Sequence, residues 1–194
     1  MGKCIVMIVE VMKSQGFTLI ELIATMVIAG ILAAIAIPGF SRWLPNYRLK
    51  GAARDVYSNL QLAKMEAIKI RGECAVAFDL GNNRYQVVSG GTDRDYSTTG
   101  DNVVIKTVTL SDYKSGVGYG HGEATKKATT SGGTIGDDIS FTGDTVVFNS
   151  RGMINDNAGG YVYIENERSA SFAVGVWSTG LVVLRKWQNG AWVQ

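Results

Sequence analysis

The chain is poor in the residues from which disulfide scaffolds and metal centres are built. Two cysteines in 194 residues exclude a disulfide framework. A single histidine, His121, excludes a multi-histidine metal site or a Cys/His zinc finger. Two prolines exclude a collagen or a proline-rich linker. A net charge of +2 is too small for a general nucleic-acid coat or an acidic tail. Glycine, by contrast, is plentiful, at 24 residues. These averages conceal three kinds of polymer: residues 1–41 carry no net charge, residues 42–71 carry +5 and residues 72–194 carry −3. Most of the glycine lies in the last region.

The first region holds FTLIELIATMVIAGILAAIAI, from Phe17 to Ile37, with one charge, Glu21. A helix of this length spans roughly 31 Å, enough to cross a bilayer core. A core helix of a soluble protein is rarely apolar on every face. A secretory signal is one rival, with Ala34-Ile35-Ala36 as a small-x-small cleavage site, but the apolar run is long for that role. A plain membrane anchor is another, and it leaves Glu21 unexplained, since a carboxyl group in the membrane is costly and marks function.

The residues Lys13-Ser14-Gln15-Gly16-Phe17-Thr18-Leu19-Ile20-Glu21 resemble the processing site of the type IV prepilin family, which includes the pseudopilins of type II secretion. The resemblance implies cleavage between Gly16 and Phe17 by a prepilin peptidase that also methylates the new amine of Phe17. It implies that Glu21 is the assembly glutamate and Pro38 the helix-kinking proline. Expected partners are that peptidase/methyltransferase, the inner membrane and other minor pilins or pseudopilins in a filament. In physical terms a carboxylate and an amine in hydrocarbon each cost several kcal/mol unless paired, so Glu21 is expected to pair with the Phe17 amine, its own or a neighbouring subunit's. Leaders of that family are short and polar, whereas residues 1–12 are mostly apolar. A start at Met12 would leave the leader MKSQG, and the true start is expected there. Cys4 would then not exist, and Cys74 would be alone, without an internal disulfide. Arg42, Arg48, Lys50 and Arg54 outnumber Lys3 and Lys13, so charge alone would hold the C-terminal domain in the cytoplasm. The resemblance implies the opposite, a single-pass inner-membrane protein with a periplasmic domain, and the expectation follows it.

The domain organisation expected is a leader at 1–16, a transmembrane and assembly helix at 17–37, an amphipathic continuation at 38–71 and a β domain at 72–194. Pro38-Gly39 should kink or briefly melt the helix, and Pro45 should disturb it again or open a new segment. Val56, Leu60, Ala63, Ala67 and Ile70 fall on one face, a core-facing stripe. Gly72 is the expected stop, with Arg71 favourable to the helix dipole. The cations beyond the span are placed to meet anionic headgroups.

From Cys74 onward the texture is β. Strands are expected at 74–79, 84–88, 103–110, 145–149, 161–166, 170–177 and 181–186, with turns at 81–83 and 178–180. Segments 89–102 and 111–143 read as surface loops and as partner-specific surfaces. One long helix followed by strands predicts an α+β fold, with the helix packed on antiparallel sheets. Leu60-Gln61-Leu62-Ala63-Lys64-Met65-Glu66-Ala67 and Val147-Phe148-Asn149-Ser150-Arg151-Gly152 are similar to motifs of the GspH/FimT minor pilins. That resemblance implies a helix with two small sheets and a subunit near a filament tip.

No nucleophile elbow, phosphate-binding loop or dinucleotide fingerprint is present, so no enzyme and no cofactor are expected. His121 reads as a solvated loop histidine. Asp137, Asp138 and Asp144 could offer oxygen to calcium, but no EF-hand spacing occurs, so no metal is assigned. Trp177, Trp187 and Trp192 stand near Arg185 and Lys186. Some FimT-like members bind DNA through a basic C-terminal region, and Arg185, Lys186 and Trp187 are the candidate contacts. The competing reading is a final hairpin that packs its tryptophans on the sheet. The remaining alternative is a simple membrane-tethered periplasmic binding domain.

Overall fold

A computed structural model describes residues 16–129, 132–155 and 159–194. The proposed leader residues, including Cys4 and Met12, lie outside the described residues apart from Gly16, and so do two positions of the 111–143 segment. The chain divides into two units, Met1–Ser41 and Arg42–Gln194.

One helix, α1, runs from Leu19 to Ile70. Thr18 starts it: the Glu21 N–H donates to the Thr18 hydroxyl at 3.3 Å and the Leu22 N–H to the Thr18 carbonyl at 3.1 Å. Thr18-x-x-Glu21 is a capping-box pattern, in which the cap residue satisfies donors that have no partner inside the helix. The helix is unbroken at both prolines. Pro38-Gly39 therefore does not melt it, and Pro45 does not open a new segment. Each proline removes one N–H from the ladder, a loss of about 3 kcal/mol, and the bonds of the flanking turns hold the helix through it.

In the first unit the helix is apolar and exposed throughout Leu19–Ile37. In the second unit one face is buried. Val56, Leu60, Ala63 and Ala67 lie in the core as the spacing predicts, and the stripe reaches back to Leu49, Ala52 and Ala53. Ile70, in the last turn, is only half-buried.

The helix does not end on a glycine. The Gly72 N–H donates to the Ala67 carbonyl and the Arg71 N–H to the Ile68 carbonyl, a Schellman arrangement with Arg71 in the left-handed position at φ 53°. Gly72 serves a different need, because a Cβ there would fall 2.4 Å from the Arg94 Cβ. The sequence pattern names the right end of the helix but the wrong residue for its backbone reversal. Arg71→Gly should therefore raise unfolding stability by about 0.5–1 kcal/mol, the relief of a non-glycine residue at positive φ less a small dipole loss. Urea unfolding of the detergent-solubilised chain would measure it.

Two antiparallel sheets follow. β1 (Cys74–Asp79), β2 (Arg84–Ser89), β3 (Val103–Thr109) and β5 (Thr145–Phe148) form a sheet of order β3-β2-β1-β5. β4 (Gly118–Tyr119), β6 (Gly160–Glu165), β7 (Ser171–Val176), β8 (Val182–Gln188) and β9 (Ala191–Val193) form the second, of order β4-β6-β7-β8-β9. The fold is α+β, with Val76, Tyr85 and Val87 of the first sheet and Val162, Ile164 and Val174 of the second meeting the helix stripe in one core. The small side chains at positions 52, 53, 63 and 67 let sheet side chains approach the helix closely. Within this core the Asn59 amide donates to the Tyr85 hydroxyl at 2.7 Å, and the Lys106 ammonium donates to Asn59 Oδ1 at 3.0 Å. The network ties exposed edge strand β3 to the helix.

The segment 111–143 is not simply a surface loop. Its described part contains β4, and it places Ala124, Ala128 and Ile135 in a second cluster with Tyr161, Tyr163, Ala173 and Val183. The physical reason lies in β6 and β7, which are buried along almost their whole length. Strands apolar on both faces need cover on both, and the segment supplies it. The runs Tyr161–Ile164 and Phe172–Val176 carry that signal, since neither alternates.

Candidate functional site

Two places in the chain concentrate features with a function. The first is the helix start. Gly16, Phe17 and Thr18 precede the helix, and Phe17 is 82 % exposed. Glu21 lies in the first helical turn, exposed, with its backbone N–H taken by Thr18. A carboxylate in the first turn is favoured by the helix dipole. Beyond it the Thr25 hydroxyl donates to the Leu22 carbonyl at 2.9 Å, so this polar side chain is satisfied inside its own helix. The sequence reading missed Thr18, although its Thr-x-x-Glu spacing is a legible signal.

Twelve large apolar side chains between Phe17 and Ile37 are each about half exposed or more. At roughly 1.5–3 kcal/mol for burying each, their contact with water is unfavourable by on the order of 20 kcal/mol. Such a surface is stable only in lipid or against other apolar helices. The residues expected to act in processing and assembly, Gly16, Phe17 and Glu21, therefore stand together at the start of this surface, and Pro38 lies within the same helix.

The second place is where two turns meet the helix. Gly152 and Gly180 have φ of 71° and 75°. A Cβ on Gly180 would fall 1.8 Å from the Gly152 carbonyl oxygen, and one on Gly152 would fall 2.8 Å from Ile68 Cδ1. The Lys64 ammonium donates to the Gly180 carbonyl at 2.9 Å, and the Ile154 N–H donates to the Ser178 carbonyl. The Asn149–Gly152 motif is thus a backbone clasp between α1, the end of β5 and the β7–β8 turn.

Most of the remaining candidates are engaged structurally. His121 is not simply solvated, since its Nδ1 lies 2.8 Å from Asp138 Oδ1. Asp137 accepts the Ile139 N–H, and Asp144 is half-buried beside β5. Among the described residues no group of three or more His, Cys, Asp or Glu side chains converges as a ligand set. Cys74 is free and buried, and burial pushes its thiol up to about 12, which keeps it protonated and unreactive near neutrality. In the tail the Arg185 guanidinium donates to the Ala128 carbonyl at 2.8 Å. Trp187 packs edge-on against Trp192 at 5.2 Å, and the Trp192 indole donates to the Lys126 carbonyl. Lys186 is exposed. This tail uses its indoles and guanidinium to hold the covering segment on the second sheet.

Comparison with known proteins accords with this division. Residues 11–37 match the prokaryotic N-terminal methylation motif, which defines a protein of the pilin class, with an apolar N-terminal helix as its membrane and assembly element. Residues 52–180 match the type II transport protein GspH family, and the chain belongs to that family. Its role is that of a minor pilin or pseudopilin, a structural subunit. A comparison with curated proteins finds no match. Solved structures with similar architecture include the type IV minor pilin FimU of Pseudomonas aeruginosa, at 12 % identity and TM-score 0.49, over 78 % of this chain and 97 % of that one. Another is the minor pseudopilin EpsH of the Vibrio cholerae type 2 secretion system, at 16 % identity and TM-score 0.46, over 71 % of this chain and 95 % of that one.

Proposed function

We propose that the chain is made as a precursor with a leader at 1–16, cleaved between Gly16 and Phe17 by the prepilin peptidase and methylated on the Phe17 amine. Before assembly it is held in the inner membrane by a single pass of residues 17–37, with the domain of residues 72–194 in the periplasm. Pro38 kinks the helix where its amphipathic continuation, 38–71, begins. The subunit then enters a pseudopilus or pilus beside other minor subunits, with Glu21 paired to the Phe17 amine of a neighbour. It works by binding and carries out no catalysis.

The observation that carries this reading is the helix that begins two residues after Phe17 and exposes apolar side chains along the whole of Leu19–Ile37. Burying that surface supplies the driving force for membrane insertion and then for helix packing, while the Glu21–amine pair sets register. The test is the intact mass of the chain extracted from membranes of cells with and without the peptidase. With the peptidase the mass should correspond to Phe17–Gln194 plus one methyl group. Retention of the leader in the presence of active peptidase would reduce the chain to a tethered domain and overturn the proposal.

A further inference from the structure

The end of α1 and the loop between β2 and β3 enclose a cleft of about 590 Å³, open to solvent and apart from the core and the clasp. Lys69, Ile70, Arg71, Gly91, Thr92 and Arg94 line it, three cations and no acid. Its volume lies in the range of ligand-binding clefts, whereas a lone phosphate, with the bulk of a few waters of about 30 Å³ each, would fill only a corner. The two walls are locked by backbone. The Glu73 N–H donates to the Arg94 carbonyl at 2.9 Å, and the Gly90 N–H donates to the Glu73 carbonyl at 2.9 Å. Gly72 has no side chain to hold the walls apart, since a Cβ there would fall 2.4 Å from the Arg94 Cβ. The turn that carries Arg71 therefore packs directly on the turn that carries Arg94.

Both arginines occupy backbone positions that disfavour them. Arg71 has φ 53° and Arg94 has φ 66°. Asparagine and aspartate are the side chains usual in that region, and Asn83, Asp144 and Asn189 follow the preference. The helix dipole favours a cation near Arg71, but Lys69 already supplies one in the last turn, and Arg94 lies outside the helix. Strain kept at two positions that line one cleft is explained by what the side chains do there.

The charges around the cleft are sorted. Arg71 and Arg94 are exposed, and among the described residues neither is paired with a carboxylate. The neighbouring acids, by contrast, are engaged within the chain. Glu66 pairs with the Lys69 ammonium at 3.1 Å. Asp101 accepts the Thr92 N–H at 2.7 Å, the Thr92 hydroxyl at 2.6 Å and the Asp93 N–H at 3.1 Å. Asp95 accepts the Ser97 N–H at 2.8 Å, and Glu73 accepts the Tyr96 N–H at 3.1 Å and the Asn155 amide at 2.6 Å.

We propose that this cleft binds a short acidic segment of a partner protein, with carboxylates held by Arg71 and Arg94. A guanidinium presents a planar fork that matches a carboxylate through two parallel hydrogen bonds. Half-buried Ile70 offers an apolar contact to the stem of such a side chain. A long polyanion, whether nucleic acid or an anionic membrane, fits less well. Its further charges would meet Glu66, Asp93, Asp95 and Asp101, whose fields reach about 10 Å at 0.1 M salt. The same acids keep the affinity modest. The inference stands on the domain alone and is independent of processing at Gly16 and of entry into a filament.

The test follows the arginine Nε–H resonances of the full chain, labelled with nitrogen-15, in uncharged micelles at low salt. The Arg71 and Arg94 signals are assigned by their loss in Arg71→Asn and Arg94→Asn, since asparagine tolerates positive φ. N-acetyl-tetraglutamate should move both signals saturably, with a dissociation constant on the order of 1 mM, and tetraglutamine should move neither. Each single variant should weaken binding, read on the remaining signal, at least about tenfold. Arg94→Lys keeps the charge but loses the fork, and should recover a minor part. Arg71→Gly/Arg94→Gly should match or exceed the wild type in urea unfolding, because glycine relieves both positions. A marked fall in its stability would assign the arginines to the fold and overturn the proposal. Tighter binding of inorganic phosphate or of a single-stranded oligonucleotide than of tetraglutamate would assign the cleft to a free anion or a polyanion, and would overturn it too. Signals unmoved at about ten times the expected dissociation constant would leave no site.

Discussion

Glu21→Ala is expected to yield a chain that is cleaved and methylated normally yet absent from filaments. The junction Gly16–Phe17 precedes the helix, and Ala keeps the backbone N–H that Thr18 caps, losing at the helix start only the small dipole benefit of a first-turn carboxylate. What the substitution removes is the only carboxylate on an otherwise apolar surface running from Phe17 to Ile37. In the proposed pairing its loss leaves a neighbour's amine desolvated and unpartnered, a penalty of about 3–5 kcal/mol. That corresponds to a fall in incorporation of at least about a hundredfold. Quantitative immunoblotting of sheared filaments against the membrane pool would measure it. Glu21→Gln keeps the shape and a hydrogen-bonding oxygen, and should recover a minor part of the loss. Normal incorporation of Glu21→Ala would remove the pairing from the mechanism and leave apolar packing alone to set register.

Gly180→Ala should abolish the folded domain or come close to it. The added methyl carbon would overlap a backbone oxygen, that of Gly152, at 1.8 Å, and the residue sits at φ 75°, where a side chain is already strained. Neither neighbour can yield cheaply: the Gly152 turn is fixed by hydrogen bonds from the Gly152 N–H to the Asn149 carbonyl and from the Asn149 N–H to the Met153 carbonyl, and the Gly180 carbonyl holds the Lys64 ammonium. A cost of at least about 3 kcal/mol is expected, a large part of the 5–15 kcal/mol that stabilises a typical domain. Gly152→Ala should be milder, because the nearest atoms to its Cβ are the ends of the Ile68 and Lys64 side chains, which can move. Urea unfolding followed by tryptophan emission would rank the two. Trp177 lies in the same turn and donates its indole N–H to the Tyr161 hydroxyl, so it reports on this clasp. Equal effects of the two substitutions would mean that the turns separate without breaking the fold.

The long, strongly patterned elements were legible before the structure. The apolar run identifies the exposed helix, the four-three stripe identifies the buried face, and the seven longer strands stand out by their β-branched and aromatic runs. The parts that escaped are short or depend on distant partners. β4 is a pair of residues among glycines and β9 only three near the end of the chain, too short for any period to show. The two sheets were expected only through the family resemblance, and which strands share a sheet depends on the pairing of β1 with β5, Val76 opposite Val146, which no local pattern encodes between segments so far apart. The expectation that Pro38-Gly39 melts the helix or that Pro45 opens a new segment failed because local preference was set against a helix whose flanking turns hold it, and the kink at Pro38 remains a proposal. The proposed processing and assembly site rests on the glycine–phenylalanine junction and the glutamate, both read from the sequence. The Thr18 cap was equally visible but was read only as part of the junction motif.

That cap has a consequence for maturation. Among the described residues the first hydrogen bonds of α1 are made by Thr18, downstream of the proposed scissile bond. In the proposed maturation, trimming would spare these bonds and change what precedes them, a peptide amide before and a cation after. On that proposal, what separates precursor from polymer-forming subunit is a single charge created beside Glu21.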